Sequence, residues 1–231
     1  MSMKSQRPRV GGRKVSLVLL FLAVLTQVSP AQTEISFGPA VGMSFNQHKG
    51  SNIPSNANAV GLIIGGQFDI AFSKSVGLLA TIAYDNKVGK YTDAGTIGGI
   101  DYSTNASITI AYCTVEPLFQ YTLPNRPVYF VTGPSLGIPV QGKTQTTSEI
   151  LTPGYSFPNG YALQTLNTTV DNMKARFEWK IGAGYCWHVD KKTFLNVHAI
   201  YSRVFTDVVD KSDWRVNAIT LVGSFEFTLG R

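Results

Sequence analysis

Ile35-Ser36-Phe37-Gly38-Pro39-Ala40-Val41-Gly42-Met43-Ser44-Phe45 alternates between bulky apolar side chains at odd positions and small ones at even positions, with Pro39 the one interruption. Successive side chains of a β-strand point to opposite faces, so this stretch builds one face of bulk hydrocarbon and one of Gly, Ala and Ser. The small face would make a poor water-facing surface but suits a cramped interior. The large face is then the outer one, and its solvent is lipid. A closed antiparallel barrel is one of only two structures that satisfy every backbone hydrogen bond inside a membrane, and alternation is its mark in sequence.

The pattern recurs along the chain, predicting eight strands at 35–45, 60–72, 76–87, 105–123, 128–141, 174–189, 193–205 and 215–229. Each is long enough to cross, since a tilted membrane strand needs about 9 to 11 residues. Short polar turns at 73–75, 124–127 and 190–192 alternate with long connections at 46–59, 88–104, 142–173 and 206–214. In an outer-membrane barrel the short turns face the periplasm and the long loops face outside. The expected architecture is an all-β, eight-stranded antiparallel up-and-down transmembrane β-barrel, with ten strands as the alternative if 161–170 adds a further hairpin.

The faces follow from parity. Leu62, Ile64, Phe68, Ile70 and Phe72 point to lipid, as do Phe177, Trp179, Ile181, Tyr185 and Trp187, and Ile219, Leu221, Phe225, Phe227 and Leu229. In the fourth strand the bulky residues change parity, from Ile108, Ile110 and Tyr112 to Val115, Phe119, Tyr121 and Leu123. A β-bulge near Cys113 or Thr114 is expected to reconcile the halves. Aromatic residues gather near strand ends, as two interfacial girdles require.

Ahead of the strands, Lys4, Arg7, Arg9, Arg13 and Lys14 precede an apolar run from residue 15, and Ser29-Pro30-Ala31 supplies small residues for cleavage. This reads as a signal peptide over 1–31, cut before Gln32 and leaving one barrel domain over 32–231. The chain has 20 Lys+Arg against 14 Asp+Glu, but five of the basic residues and none of the acidic ones lie in that leader. The remainder is nearly neutral, and nucleic-acid binding has no electrostatic footprint. Cys113 and Cys186 fall on non-adjacent strands at different heights and read as small packing residues rather than a disulfide.

The leader, the eight-strand meander, the alternating short and long connections and the ending Phe225-x-Phe227-x-Leu229 resemble the small outer-membrane β-barrel superfamily. The chain is most similar to its porin-family or PorT-like barrel-domain members of Bacteroidetes-type, Gram-negative bacteria. The resemblance implies an outer-membrane location. A soluble lipocalin-type barrel is the architectural rival, with its large apolar face turned inward around a ligand.

For chemistry, parity places Glu116, Arg176, Glu178, Lys180 and Glu226 inside, with Asp69 nearer the periplasmic end. Buried charges must pair, and eight strands leave an interior just wide enough for side chains. The expectation is a charge network that plugs the lumen. His198 and Ser202 share a face four residues apart, about 13 Å at strand rise, too far for a nucleophile and its base. His48 and His188 have no paired nucleophile and carboxylate at same-face spacing. Asp207, Asp210 and Asp213 lack the ligand spacing and turn glycine of a calcium loop, and Gly182-Ala183-Gly184 lies within a strand rather than in a phosphate-binding loop. No catalytic, metal or cofactor site is expected.

The loop at 142–173 is the best candidate for binding: Tyr155, Phe157 and Tyr161 sit among Pro153, Gly154, Pro158, Asn159 and Gly160. Aromatics on turn-rich loops suit protein or glycan contact. The competing reading is that 161–170 merely extends strands above the membrane. The expected function is a non-enzymatic barrel in contact with outer-membrane lipids, structural or interacting through its outer loops. A lipid-modifying enzyme and a narrow channel are the alternatives.

Overall fold

The computed structural model describes residues 33–229 apart from 52, 55, 56 and 211. The expected signal peptide and its cleavage point lie outside the described residues. Nine strands follow in order: β1 Glu34–Lys49, β2 Asn58–Ala71, β3 Val76–Ile97, β4 Ile100–Thr122, β5 Val128–Ile150, β6 Leu163–Thr169, β7 Arg176–His188, β8 Thr193–Val204 and β9 Arg215–Thr228.

Each of β1 to β5 pairs antiparallel with the next, β5 pairs with β7, and β7, β8 and β9 continue the meander. β9 returns to β1, with Phe37 opposite Phe227 and Lys49 opposite Arg215. The result is a closed ring of eight strands. β6 stands outside the ring and pairs only with β5, from Lys143↔Thr169 to Glu149↔Leu163. The ten-strand alternative is therefore not formed.

The faces separate sharply. Val41, Ile181 and Ile219 are 58%, 59% and 56% exposed, while Ser44 and Gln67 are fully buried. Bulky apolar groups pointing out around a polar filling is the reverse of a lipocalin, and it makes lipid the solvent of the outer face.

Three expectations need correction. The stretch 88–104 is not a long loop, because β3 and β4 stay paired from Val88↔Thr109 to Ile97↔Ile100. They are joined by Gly98 and Gly99 at φ of 58° and 82°, the positive values a two-residue primed hairpin turn needs. The loop at 142–173 likewise shrinks, since β5 runs on to Ile150 and β6 lies against it.

The third correction concerns the fourth strand, in which Ile108, Ile110 and Tyr112 are buried on the same even parity as Thr114, Glu116 and Leu118. The strand does not change face. The register break lies beside it on β5, where Ala111 meets Gln141 and Tyr112 meets Pro139, leaving Val140 as the extra residue. Pro139 has no N–H to give the ladder, which is where a bulge is tolerated. The three bulky side chains point inward because the chain after β8 folds back over the mouth, and Val208 packs with them and Val216 in one buried cluster.

Leu221 sits on the lipid face opposite Met43, one residue from the buried Thr220 opposite Ser44. Leu221→Arg should lower stability in lipid by about 2–4 kcal/mol if the site lies near the midplane, read by refolding titration into bilayers. A variant as stable as wild type would reverse the assignment of faces.

Candidate functional site

The strand parity that faces bulk to lipid also fills the interior, and the filling is layered. At the short-turn end lies a cavity of about 760 Å³ lined by Glu34, Asp69, Lys74, Arg126, His188 and Glu226, among others. At its inner end Glu226 accepts hydrogen bonds from Gln67 at 2.7 Å, Asn196 at 2.9 Å and Ser224 at 2.6 Å. Asp69 accepts from the Gln120 amide at 3.1 Å. These carboxylates are held by amides and a hydroxyl rather than by cations.

Next comes an apolar layer of Leu79, Leu118, Tyr129, Val131 and Ile200, with Cys186 packed against it. The Tyr129 ring fills the space that a side chain at Gly184 would need. Its hydroxyl lies 3.1 Å from His198 Nδ1.

Above this layer the lumen holds three acids and three bases. Lys180 Nζ lies 2.5 Å from Glu116 Oε1 and 3.4 Å from Glu178 Oε1. Arg176 donates to Glu178 Oε2 at 2.6 Å and to the Val216 carbonyl at 3.0 Å. Lys87 lies 2.8 Å from Asp85. All six are buried, and their formal charges cancel.

The outer mouth is capped by Ile108, Ile110, Tyr112, Val208 and Val216, with Ile53, Met173 and Trp214 against them. Arg176 sits 5.7 Å from the centre of the Tyr112 ring and so touches both the charged layer and the cap. The cap is tied down by Trp214 Nε1, which donates to His48 Nδ1 at 3.1 Å, and by the Met173↔Val209 bridge. Ser51 donates through its backbone N–H and its hydroxyl to Asp213. These donors hold the Asp213 carboxyl below its ordinary range.

The six residues expected in one charge network thus divide. Glu116, Arg176, Glu178 and Lys180 are brought together, whereas Asp69 and Glu226 belong to the separate hydrogen-bonded layer. Asp85 and Lys87 complete the ionic set and were missed. Strand parity marks them, since they share odd positions with the inward Leu79, Thr81 and Ala83.

The remaining candidates are scattered. Among the described residues no histidine contacts both a hydroxyl and a carboxylate: His198 meets Tyr129, His48 meets Trp214, and His188 stacks edge-on against Phe194 at 4.9 Å. Asp207, Asp210 and Asp213 turn to Arg215, Lys174 and Ser51 respectively. Cys113 lies on the lipid side and Cys186 is half-buried, both as free thiols.

Beyond the ring, β3, β4, β5 and β6 continue as a sheet. Hydrogen bonds cross it between Thr92 and Asn105 at 2.7 Å and between Thr147 and Thr165 at 3.2 Å. The loop from β5 to β6 carries Tyr155 and Tyr161, 54% and 70% exposed, while Phe157 is half-buried in a tight turn closed by its N–H to the Tyr161 carbonyl at 2.9 Å.

A lipid-facing ring with a filled interior is the form of a small outer-membrane barrel, and the family model agrees over residues 30–210. The chain belongs to the outer membrane protein beta-barrel domain family. It is an outer-membrane protein of the Gram-negative cell envelope. It is similar to Ail, the attachment invasion locus protein of Yersinia pestis, at 13% identity over 84% of this chain and 99% of that one, with a TM-score of 0.36. Neisserial surface protein A matches at 12% identity over 83% and 96%, TM-score 0.36. OprG of Pseudomonas aeruginosa matches at 12% over 86% and 96%, TM-score 0.41. Likeness at these identities concerns the fold alone. No curated protein sequence matches the chain.

Removing one partner of a buried ion pair leaves the other uncompensated, at about 3–5 kcal/mol. Glu116→Gln and Lys180→Met should each be destabilising in refolding titrations, Lys180→Met the more so because Lys180 serves two carboxylates. The double variant should lose less than the sum. Strict additivity would show that the pair is not coupled.

Proposed function

We propose that this barrel is a closed, non-enzymatic outer-membrane scaffold whose work is done at the cell surface by the sheet and loops at its long-loop end. The observation that carries this reading is the balanced ionic layer shut between two apolar ones. Channels that select ions line their constriction with one sign of charge or with carbonyl dipoles. Here three cations and three anions neutralise one another, a filling suited to holding walls together.

The outer sheet supports the second half of the proposal. β6, Leu163–Thr169, is exposed along its whole length, carries no charge and no proline, and has one free edge. Proteins ordinarily blunt such edges with charge, proline or a cover, and an open edge can take up an extended segment of a partner by strand addition. Tyr155 and Tyr161 beside it offer aromatic surface for protein or glycan contact. The resemblance to PorT-like barrels of Bacteroidetes-type bacteria is compatible with this role, with periplasmic short turns and long connections outside.

The purified, folded protein should pass no steady current in a planar bilayer. In a chain with Cys113 and Cys186 replaced, Ser156→Cys should react with an impermeant thiol reagent on intact cells and Ser75→Cys should not. Steady conductance would replace the scaffold with a channel, and equal labelling at both positions would remove the orientation.

A further inference from the structure

The ionic layer balances its charges, but the carboxylates at the short-turn end do not. Glu226 is fully buried, and its Oε1 collects hydrogen bonds from Gln67, Asn196 and Ser224. Gly38 on β1 stands between Gln67 on β2 and the β9 backbone at Phe225 and Glu226, and without a side chain there the Gln67 amide reaches across to Glu226. Asp69, two residues further along β2, accepts from Gln120 and lies within electrostatic reach of Glu226 and Glu34. Among the described residues neither Asp69 nor Glu226 has an ion-pair partner. Lys74 and Arg126 line the same cavity but are exposed in its turns, and His188 is edge-on to Phe194.

The donors at this end are committed while acceptors remain. Gln67 and Asn196 turn their amide nitrogens to Glu226, and Gln120 turns its own to Asp69. Their oxygens, Gln67 Oε1, Asn196 Oδ1 and Gln120 Oε1, are buried together with Glu226 Oε2 and meet no hydrogen-bond donor among the described residues. In the ionic layer such atoms are of both kinds, with Lys87 Nζ and Arg176 Nε as well as Asp85 and Glu178 oxygens. Here every one is an acceptor. Amide and carboxylate oxygens either accept a hydrogen or ligate a hard cation, and burying them with neither is costly. Two negative charges with no basic side chain paired to them select the cation. Glu226, Asn196, Gln120 and Asp69 all line the cavity, so an ion entering from the short-turn side reaches them.

We propose that the inner end of this cavity is a binding site for a divalent cation of the calcium class, ligated by Glu226 Oε2, Asn196 Oδ1, Gln120 Oε1 and the Asp69 carboxylate, with water completing the shell. Calcium takes about 6 to 8 oxygens in flexible geometry, whereas magnesium demands a near-ideal octahedron and gives up its water reluctantly. Carboxylates and amides arriving from β2, β4, β8 and β9 suit the former, and two carboxylates match its two charges. Gln67, bonded to both Ser224 and Glu226, holds the Glu226 carboxylate in place. The site goes beyond the scaffold role and does not depend on the surface sheet.

The test is isothermal titration calorimetry of the chelator-treated protein, refolded into a neutral detergent so that no outer-membrane lipid carries metal. The probes are calcium chloride, magnesium chloride and, at matched ionic strength, sodium chloride. Calcium should bind at one ion per chain and raise the temperature at which heat-modifiable gel migration is lost, as any ligand of the folded state must. Magnesium should bind more weakly, and sodium chloride should do neither. Asp69→Asn, at a half-buried position, should fold and weaken calcium binding by roughly tenfold, because affinity follows the charge count of the ligands. Glu226→Gln should weaken it further, and Asp207→Asn at the opposite end should bind as wild type does. No calcium binding by the wild-type protein at millimolar concentration would overturn the site, as would unchanged binding in Asp69→Asn or an equal loss in Asp207→Asn. An equal response to sodium chloride would reduce the effect to screening and overturn it too. If Glu226→Gln fails to fold, Asp69→Asn decides. Steady conductance would remove the scaffold role without bearing on the titration, so the two readings fail separately.

Discussion

Inside hydrocarbon no water is present to accept a backbone N–H, and one unpaired group costs several kcal/mol. A sheet that crosses a membrane must therefore have no edge. The pairing of β1 with β9, maintained from Ser36↔Thr228 to Lys49↔Arg215, removes the last one. Once the ring is closed, every side chain points either to lipid or to the lumen, and parity dictates everything that follows. Bulk accumulates outside because lipid accepts it. Glycine, serine and alanine accumulate inside because eight strands leave little room.

Closure imposes a second demand, because a cramped interior next to two aqueous phases must be filled or it becomes a leak. The filling here is apolar at the mouth, ionic below it, apolar again, and then an amide-bound carboxylate layer facing the cavity at the short-turn end. Ions in the middle are a costly choice, since a buried pair rarely outweighs its own desolvation. Their advantage is selectivity of register. Glu116 on β4 reaches Lys180 on β7, and Arg176 on β7 reaches the β9 backbone at Val216. A one-residue slip of β7 would turn all of Arg176, Glu178 and Lys180 to lipid, where each would be unpaired. The ionic layer thus penalises wrong closure more than it rewards the right one.

The parts of the fold legible in sequence are those on which lipid acts. Membrane solvent selects bulky side chains at every second position, so the eight crossings and their faces can be read residue by residue in β1, β2, β7 and β9. Above the membrane that selection stops. Thr92, Asn105, Thr147 and Thr165 sit on the outer sheet's ladder with nothing to distinguish them from loop residues, and only Gly98-Gly99 betrays the hairpin. Ile108, Ile110 and Tyr112 misled for the complementary reason: their bulk is selected by a protein cap that comes from a sequence-distant segment, Val208 to Val216. The ionic residues were legible to the extent that parity was followed. Asp85 and Lys87 obeyed it but stood next to what looked like a loop.

The two ends of the molecule differ because they face different constraints. At the short-turn end the strands stop as soon as pairing can turn, as in Phe72 and Ser73 bonding to the Val76 carbonyl at 2.9 and 3.0 Å. At the other end β3, β4 and β5 outrun the ring by many residues, and a sheet that leaves a closed barrel regains the edges the barrel had removed. On β5 that edge is covered by β6, which only moves it one strand outward. Uncharged and without proline, β6 keeps along its outer side backbone groups of the kind the membrane would have forbidden. The barrel needs its closure to cross the membrane, and among the described residues it is along the protruding sheet, at β6, that backbone pairing remains available to something else.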